Sequence, residues 1–447
     1  LHHQKRGFFG TIVYRSGGTA AIPAPHTTPE ATELQPMLAA LVADGGTAAI
    51  LECSSHALVL ERLAGCSFDV AVFLNLSRDH LDFHRNMDDY FEAKSRLFAM
   101  LKLGGKAVVN LGDPYGRRLA GRLPAARTVG FFLEGEEGVE HTRPAALAGA
   151  VAAAEAMAEA TAAAGETGLF ATVVGRAALG LAGTRLEVEI KGPLFEEKPP
   201  LSLASPKHEA TADSSPPFEE KSGDSRTLQK REKTDDTEAV LTIDSPLLGR
   251  SNAENLLAAT AAGVALGLSP AEIKAGLESV TSIPGRLESV PNTHGFMVLV
   301  DYAHKPAALE GVLRTVRPIA AAGSGRVIVV FGCGGDRDKG KRPEMGRIAA
   351  LLADEVVVTS DNPRSEEPEA ILRDVRAGVE AAGKTARYVA DRRAALAEAF
   401  TLAREGDVVL VAGKGHETRQ IVGGRALPFD DRLVAKELLE RRETASR

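Results

Sequence analysis

Short β-branched runs alternate with amphipathic stretches along most of this chain, and that alternation constrains the fold more than any other feature. Residues 47–52, 70–76, 107–110, 297–300, 327–331, 355–359 and 408–411 read as strands. Several are continuously apolar, as strands buried on both faces of a parallel sheet must be. Between them, residues 87–101, 253–266, 306–317, 343–352 and 391–404 carry helical spacing. The pattern predicts an α/β, doubly wound architecture, in which ligands sit at the carboxyl ends of the strands. At 447 residues, the chain has room for two or three domains of roughly 150 residues each.

Composition narrows the class. Charged residues are 25% of the chain and the net charge is −7, which argues against a nucleic-acid binder held by general electrostatics. No apolar run approaches the ~20 residues that span a bilayer, so no membrane insertion is expected. Three scattered cysteines, Cys53, Cys66 and Cys333, form neither a disulfide framework nor a metal motif, which points to a reducing, cytoplasmic compartment. From 192 to about 236 the chain is rich in Pro, Ser, Glu and Lys and holds Phe-Glu-Glu-Lys twice. Such composition cannot offset ordering entropy, so a disordered insertion is expected there. The runs 185–190 and 239–243 that flank it read as a hairpin, and the Ala-rich stretch 145–164 reads as a helix.

The chemistry-bearing residues cluster where strands end. Glu52, Ser54 and His56 follow one strand, Asp79, His80 and Asp82 the next, and Lys94 lies on the helix beyond. Glu52, His80 and a modified Lys94 could hold a hard divalent cation, because Mg²⁺ needs few protein ligands when phosphates and waters supply the rest. His80 and His84 have zinc-like spacing without the Glu of a zincin helix. Ser54 and Ser55 stand beside His56 without the G-x-S-x-G elbow of a serine nucleophile. Residues 335–341 approach G-x-x-x-x-G-K-[ST], but Arg342 stands where the Mg²⁺-binding hydroxyl belongs. Arg337, Lys339, Lys341 and Arg342 still suit an anion-binding loop after the strand at 327–331. Asp361, Asn362, Pro363 and Arg364 place opposite charges on a stiff turn, either a seat for a zwitterion or an internal ion pair. Gly413 and Glu417 follow the strand at 408–411 in the same way, and Asp301 and His304 that at 297–300.

These motifs, together with Thr27-Thr28-Pro29, residues 249–255 and Pro284-Gly285-Arg286, resemble the Mur ligases, the ATP-dependent amide-forming enzymes of peptidoglycan assembly, in the branch that adds the third residue. The resemblance covers the chain from about residue 10 to its end, apart from the insertion and a weak region near 115–185. It implies a P-loop-type, mostly parallel central domain (1–283) followed by a Rossmann-like C-terminal domain (284–447). It implies ATP and Mg²⁺ as cofactors. A UDP-N-acetylmuramoyl-L-alanyl-D-glutamate carboxylate would be phosphorylated by ATP and the acyl phosphate attacked by an incoming amine. By the same resemblance Glu52, His80 and Lys94, the last as a carbamate, are the catalytic and metal-holding set. Thr27, Thr28, Ser54 and Arg62 meet the UDP-dipeptide; Asn255, Arg286, Asp301 and His304 meet the nucleotide. Arg337, Asp361, Asn362, Pro363, Arg364, Gly413 and Glu417 form the amino-acid pocket. The Asp-Asn-Pro-Arg turn resembles the version selecting meso-diaminopimelate, with Arg364 on the distal carboxylate.

The family's N-terminal UDP-binding domain and its true P-loop have no counterpart in these residues. The expectation is therefore a monomeric chain truncated at its front and inactive alone. A noncatalytic remnant that binds amino acid or nucleotide, and a ligase for lysine or a folate polyglutamate, remain open alternatives at this level.

Overall fold

The computed structural model describes residues 6–81, 83–134, 171–180, 183–192 and 238–445. Asp82, the Ala-rich stretch at 145–164 and the insertion expected beyond 192 lie outside the described residues. All seven expected strands form, as do the five helical stretches.

Among the described residues the strands assemble into three sheets and a small hairpin. The last sheet orders Glu288–Ser289, Met297–Asp301, Val408–Ala412, Val327–Cys333, Glu355–Ser360 and Arg387–Val389, parallel throughout except at its first edge. Its central strand, Val327–Cys333, is buried at every position, which explains the unbroken apolar run in the sequence. Helices Pro306–Ala322, Lys341–Leu352 and Pro368–Ala381 cover one face, while Arg392–Leu402 and Asp431–Ala445 cover the other. Each fully buried Val, Leu or Ile contributes about 1.5–3 kcal/mol, so these two cores hold that region rigidly.

The middle sheet orders Glu238–Ser245, Gly183–Lys191, Ala171–Gly180, Thr128–Leu133, Leu101–Asn110 and Phe68–Phe73. Its last four strands run parallel. The expected hairpin is present, with Gly183–Lys191 paired antiparallel to Glu238–Ser245. Gly183–Lys191 alternates buried and solvent-facing residues, the signature of antiparallel strands with one wet face. A separate four-stranded sheet carries Ile22–Pro23, Val13–Arg15, Arg6–Phe9 and Ala48–Leu51, with only the last two parallel. The N-terminal half carries two sheets, Ala48–Leu51 in one and Phe68–Phe73 in the other, the larger of them parallel across its last four strands. Periodicity identifies strands but does not say which edges pair.

Candidate active site

In the last sheet, Val408–Ala412 leads to the helix on one face and Val327–Cys333 to a helix on the other, so a topological switch point lies between them. Loops at such a point form a natural crevice. Gly334 lies in this crevice and is the residue on which the expected pocket converges. A Cβ there would stand 2.9 Å from Arg364 Nη1, 3.7 Å from Arg337 Cγ and 3.9 Å from Asp361 Oδ2. Gly413 closes in from the other side, its would-be Cβ 4.0 Å from Asp361 Cγ, with a φ of 115° that favours glycine.

Charge inside the crevice is built in layers. Lys414 is fully buried and donates to Glu417 Oε2 at 3.0 Å, Asn362 Oδ1 at 3.3 Å and the Arg419 carbonyl at 2.6 Å. Asn362 Nδ2 donates to the same Glu417 oxygen at 2.9 Å. Burial opposes ionisation of Glu417, but Lys414, Asn362 and His416 together hold its carboxyl below the usual range. Burial pushes the Asp361 carboxyl up, against the charges of Lys414 and Arg392. Its Oδ1 is buried without a hydrogen-bond partner, with Lys414 Nζ 3.7 Å away. That oxygen is an acceptor waiting for a donor. Arg364, at φ 54°, donates from Nη1 to the Gly335 carbonyl at 2.8 Å, leaving the rest of its fork for a carboxylate. Lys414 was not among the expected pocket residues; its place between two glycines gave no sign of a buried ion pair.

The loop resembling a P-loop has a different role from the one its charges suggest. Arg342 is fully buried and donates to Glu366 Oε2 at 3.0 Å and Oε1 at 2.8 Å, to Asp374 at 2.8 Å and to the Gly334 carbonyl at 3.1 Å. Lys341 donates to the His304 carbonyl at 2.9 Å, and Lys339 lies 3.4 Å from Glu366. Of the four cations expected to meet an anion, Arg342 is therefore structural, and only Arg337 is exposed without an acidic partner among the described residues. Glu366 also accepts from the Asp336 amide at 2.7 Å, stitching the 334–337 loop to the 361–366 turn. The Arg342 hydrogen bonds hold the Glu366 carboxyl down to about 2. Its stabilising effect should therefore persist above the ordinary carboxylate range of about 4.3 and fade as pH falls toward 2. The melting-temperature gap between the parent and Glu366→Gln, flat above about pH 5, should close over that window.

The other expected cluster lies on the first two sheets. Thr11 Oγ1 donates to Glu52 Oε2 at 2.6 Å and lies 3.3 Å from Thr27 Oγ1, whose hydroxyl can donate to it. Thr28 is buried; its hydroxyl donates to the Glu52 carbonyl at 2.8 Å and accepts from the Ser54 amide at 3.0 Å. Ser54 caps the helix Ser55–Val59, accepting from the Ala57 amide at 3.1 Å. Arg62 reaches back to the Thr28 carbonyl at 3.2 Å and Glu30 at 2.7 Å, with its Nε buried and unpartnered. The four residues expected at the UDP-dipeptide are thus neighbours, although the Thr28 and Ser54 hydroxyls are engaged by backbone.

His80 and Lys94 border one ring, that of Tyr90: its centroid lies 5.8 Å from the His80 ring centroid and 5.3 Å from Lys94 Nζ. His80 has φ 53° and pairs with Asp79 at 3.2 Å. Burial pushes the Lys94 ammonium below its ordinary value, against Cys53 and Asp79. Among the described residues, no three His, Cys, Asp or Glu side chains form a metal-ligating group. A cation here would need a ligand of another kind, and an anionic oxygen on Lys94 is of that kind. His84, at zinc-like spacing from His80, is buried on Ser55 Oγ at 2.9 Å and stacked on Tyr90.

The residues expected at the nucleotide divide between the two halves, Asn255 on a helix over the middle sheet and the others at one strand end of the last sheet. Asp301 accepts from the Leu287 and Ala303 amides at 2.9 and 2.8 Å, and Arg286 lies over the Tyr302 ring at 5.2 Å. His304 Nδ1 bonds the Tyr302 carbonyl at 2.8 Å, and Asn255 is exposed on the helix Arg250–Ala265. Gly285, at φ 66°, approaches the next strand-end loop so closely that a Cβ would stand 2.2 Å from the His416 nitrogen. Lys305 pairs with Asp79 across the gap, so the two clusters face each other.

Two family profiles match the chain: the Mur ligase middle domain over residues 1–149 and the Mur ligase glutamate ligase domain over residues 285–415. The UDP-N-acetylmuramoyl-L-alanyl-D-glutamate–2,6-diaminopimelate ligase of Geobacter metallireducens is 41% identical over 95% of this chain and 70% of its own length. The protein of the same name from Gloeobacter violaceus is 39% identical over 98% and 72%. A solved structure of a ligase of that name matches with a TM-score of 0.56 at 29% identity, covering 99% of this chain and 74% of its own. A pseudomurein peptide ligase type C from Methanothermus fervidus, at 17% identity and a TM-score of 0.55, shares the fold. The relatives align along nearly all of this chain, and the chain spans 70% and 72% of their own lengths.

Proposed function

Because the chain belongs to the Mur ligase family, ATP-dependent enzymes that form amide bonds, we propose that it joins meso-2,6-diaminopimelate to UDP-N-acetylmuramoyl-L-alanyl-D-glutamate in peptidoglycan biosynthesis. The observation that carries this reading is the convergence on Gly334 of the Arg364 guanidinium, the Arg337 stem and the Asp361 carboxylate, whose other oxygen has no hydrogen-bond partner. Diaminopimelate offers an ammonium for Asp361 and a distal carboxylate for the fork of Arg364. Lysine would bring a second ammonium against Arg364, and a site built around an acceptor or donor discriminates strongly against an analogue that leaves it unpaired.

In this reading Thr27, Thr28, Ser54 and Arg62 wall the UDP-dipeptide, and Asn255, Arg286, Asp301 and His304 face ATP. Glu52, His80 and Lys94, carried as a carbamate, would hold Mg²⁺, which neutralises charge on the transferred phosphoryl group. The γ-phosphoryl passes to the D-glutamate carboxylate, releasing ADP. The diaminopimelate amine, oriented by Asp361, Asn362 and Glu417, then attacks the acyl carbon; the C–N bond forms, the amine loses a proton and phosphate leaves. Positioning supplies most of the rate in such a reaction. In this reading the enzyme works as a monomer in the cytoplasm, the compartment in which ATP and the UDP-linked substrate are met.

The test is phosphate release by the ligase carrying this chain, with meso-diaminopimelate or lysine as acceptor. We expect kcat/KM for diaminopimelate to exceed that for lysine by about 10⁴-fold. Equal turnover of the two, or activity only with lysine, would overturn the assignment.

A further inference from the structure

Beneath the pocket lies a charge pair that takes no part in the chemistry above. Arg392 and Asp431 have no exposed side-chain surface. Arg392 Nε and Nη2 fork the Asp431 carboxylate at 2.8 and 2.7 Å. Such a pair is costly to bury and by itself is poor evidence of stabilisation. What distinguishes this one is where its remaining N–H groups go. Nη1 donates to the Ser360 carbonyl at 3.2 Å and Nη2 to the Ala412 carbonyl at 3.0 Å.

Ser360 and Ala412 end two strands that do not touch, because Val327–Cys333 runs between them. The residue after each carbonyl belongs to the pocket: Asp361 on one side, Gly413 on the other. Gly332, near the end of the intervening strand, presents no side chain, and a Cβ there would lie 2.7 Å from the Asp361 nitrogen. At their outer ends the two loops are tied separately, by Gln420 Nε2 to the Asp361 carbonyl at 2.8 Å and the Ile421 amide to Asn362 Oδ1 at 3.0 Å. Lys414 and Glu417 join the same loops through the Asn362 side chain, and Arg392 ties them at the inner end through backbone carbonyls.

We propose that Arg392, anchored by Asp431, is a positioning residue for the amino-acid pocket: one rigid guanidinium plane sets the spacing between Asp361 and Gly413. A planar fork with five fixed donors can hold two carbonyls and a carboxylate at once, which the single ammonium of lysine cannot. A fixed spacing matters because a misplacement of about 1 Å near reacting groups costs up to 10²-fold. The inference rests on the reading of this crevice as the diaminopimelate pocket.

Two variants test it in the ligase carrying this chain. Arg392→Lys keeps a charge for Asp431 but loses the fork; Arg392→Met paired with Asp431→Leu removes both buried charges and fills their volume. In both, KM for meso-diaminopimelate should rise at least about tenfold while KM for the UDP-dipeptide stays within about twofold. A purely structural pair would instead lower the melting temperature and the active fraction and leave both KM values alone. An unchanged KM for diaminopimelate in a folded variant overturns the proposal. So does failure of the paired variant to fold, since the pair then serves folding alone. If the parent enzyme prefers lysine, the substrate reading fails by itself, and the same KM split is read with lysine.

Discussion

Replacing Arg364 by alanine should lower kcat/KM for meso-diaminopimelate about 10²–10³-fold and cut the preference over lysine by at least that factor. Arg364 is half-buried on a turn whose other members, Asp361, Asn362 and Pro363, are buried. Its backbone is locked from both sides, the amide donating to the Ile421 carbonyl at 2.9 Å and the carbonyl accepting from the Gly423 amide at 2.7 Å. The guanidinium therefore starts from a fixed base, and only one of its donors is clearly engaged, on the Gly335 carbonyl at 2.8 Å. Removing one partner of a buried, hydrogen-bonded charge pair costs about 2–5 kcal/mol, and each 1.4 kcal/mol is about tenfold. The loop tie lost with the side chain is backed by the Gly335 amide bond to the Asn362 carbonyl at 2.9 Å, so the pocket keeps its shape. Lysine makes no use of the fork, and turnover with it should hold or rise. Arg364→Lys should fall between parent and alanine, because it keeps the charge but not the bidentate geometry. Steady-state kinetics with both amino acids decides the matter. Equal losses for diaminopimelate and lysine would mean that Arg364 supports the loop and does not read the substrate.

How far such a site could be read from sequence depends on what kind of residue is asked about. Asp361, Arg364, Gly413 and Glu417 were legible because each follows an apolar strand, and strand ends in a parallel sheet are ligand edges. The residues that hold them in place were not. Arg392 meets Asp431 across 39 positions and Arg342 meets Glu366 across 24; nothing local marks a charge that folding will bury. Arg342 was actively misleading, since a cation in a glycine-rich loop looks like an anion ligand until its burial is seen. Ala48–Leu51, Phe68–Phe73 and Leu101–Asn110 were legible as strands, yet their division into two sheets was not, because edge pairing follows long-range packing. Arg6–Phe9, Val13–Arg15 and Ile22–Pro23 were missed as well, each too short for an alternation pattern to stand out.

The largest effect is expected at Lys94. Lys94→Ala should reduce ligation about 10³-fold, the scale of losing a group that stabilises developing charge, and a short carboxylate such as acetate should restore part of the activity. A carbamate forms when a neutral amine attacks carbon dioxide; the N–C bond is made and one proton is released, so it needs the unprotonated amine. Lys94 is suited to this. Its Nζ has no hydrogen bond or ion pair among the described residues, only the Tyr90 ring at 5.3 Å. Burial favours its neutral form, against the pull of Cys53 and Asp79. The sign follows: a depressed pKa enlarges the neutral fraction at any pH below it, so carbamate occupancy should rise with pH and reach a plateau earlier than for a solvent-exposed lysine. Equilibration with ¹³C-bicarbonate should give a carbamate carbonyl resonance in the parent that is absent in Lys94→Ala and Lys94→Arg. An exposed ammonium acting directly on phosphate would behave in the opposite way, with Lys94→Arg retaining activity and no ¹³C signal at any pH. That outcome would remove the third ligand and its anionic oxygen, and with it the case that Glu52 and His80 hold Mg²⁺, since no group of three His, Cys, Asp or Glu side chains stands in for it among the described residues.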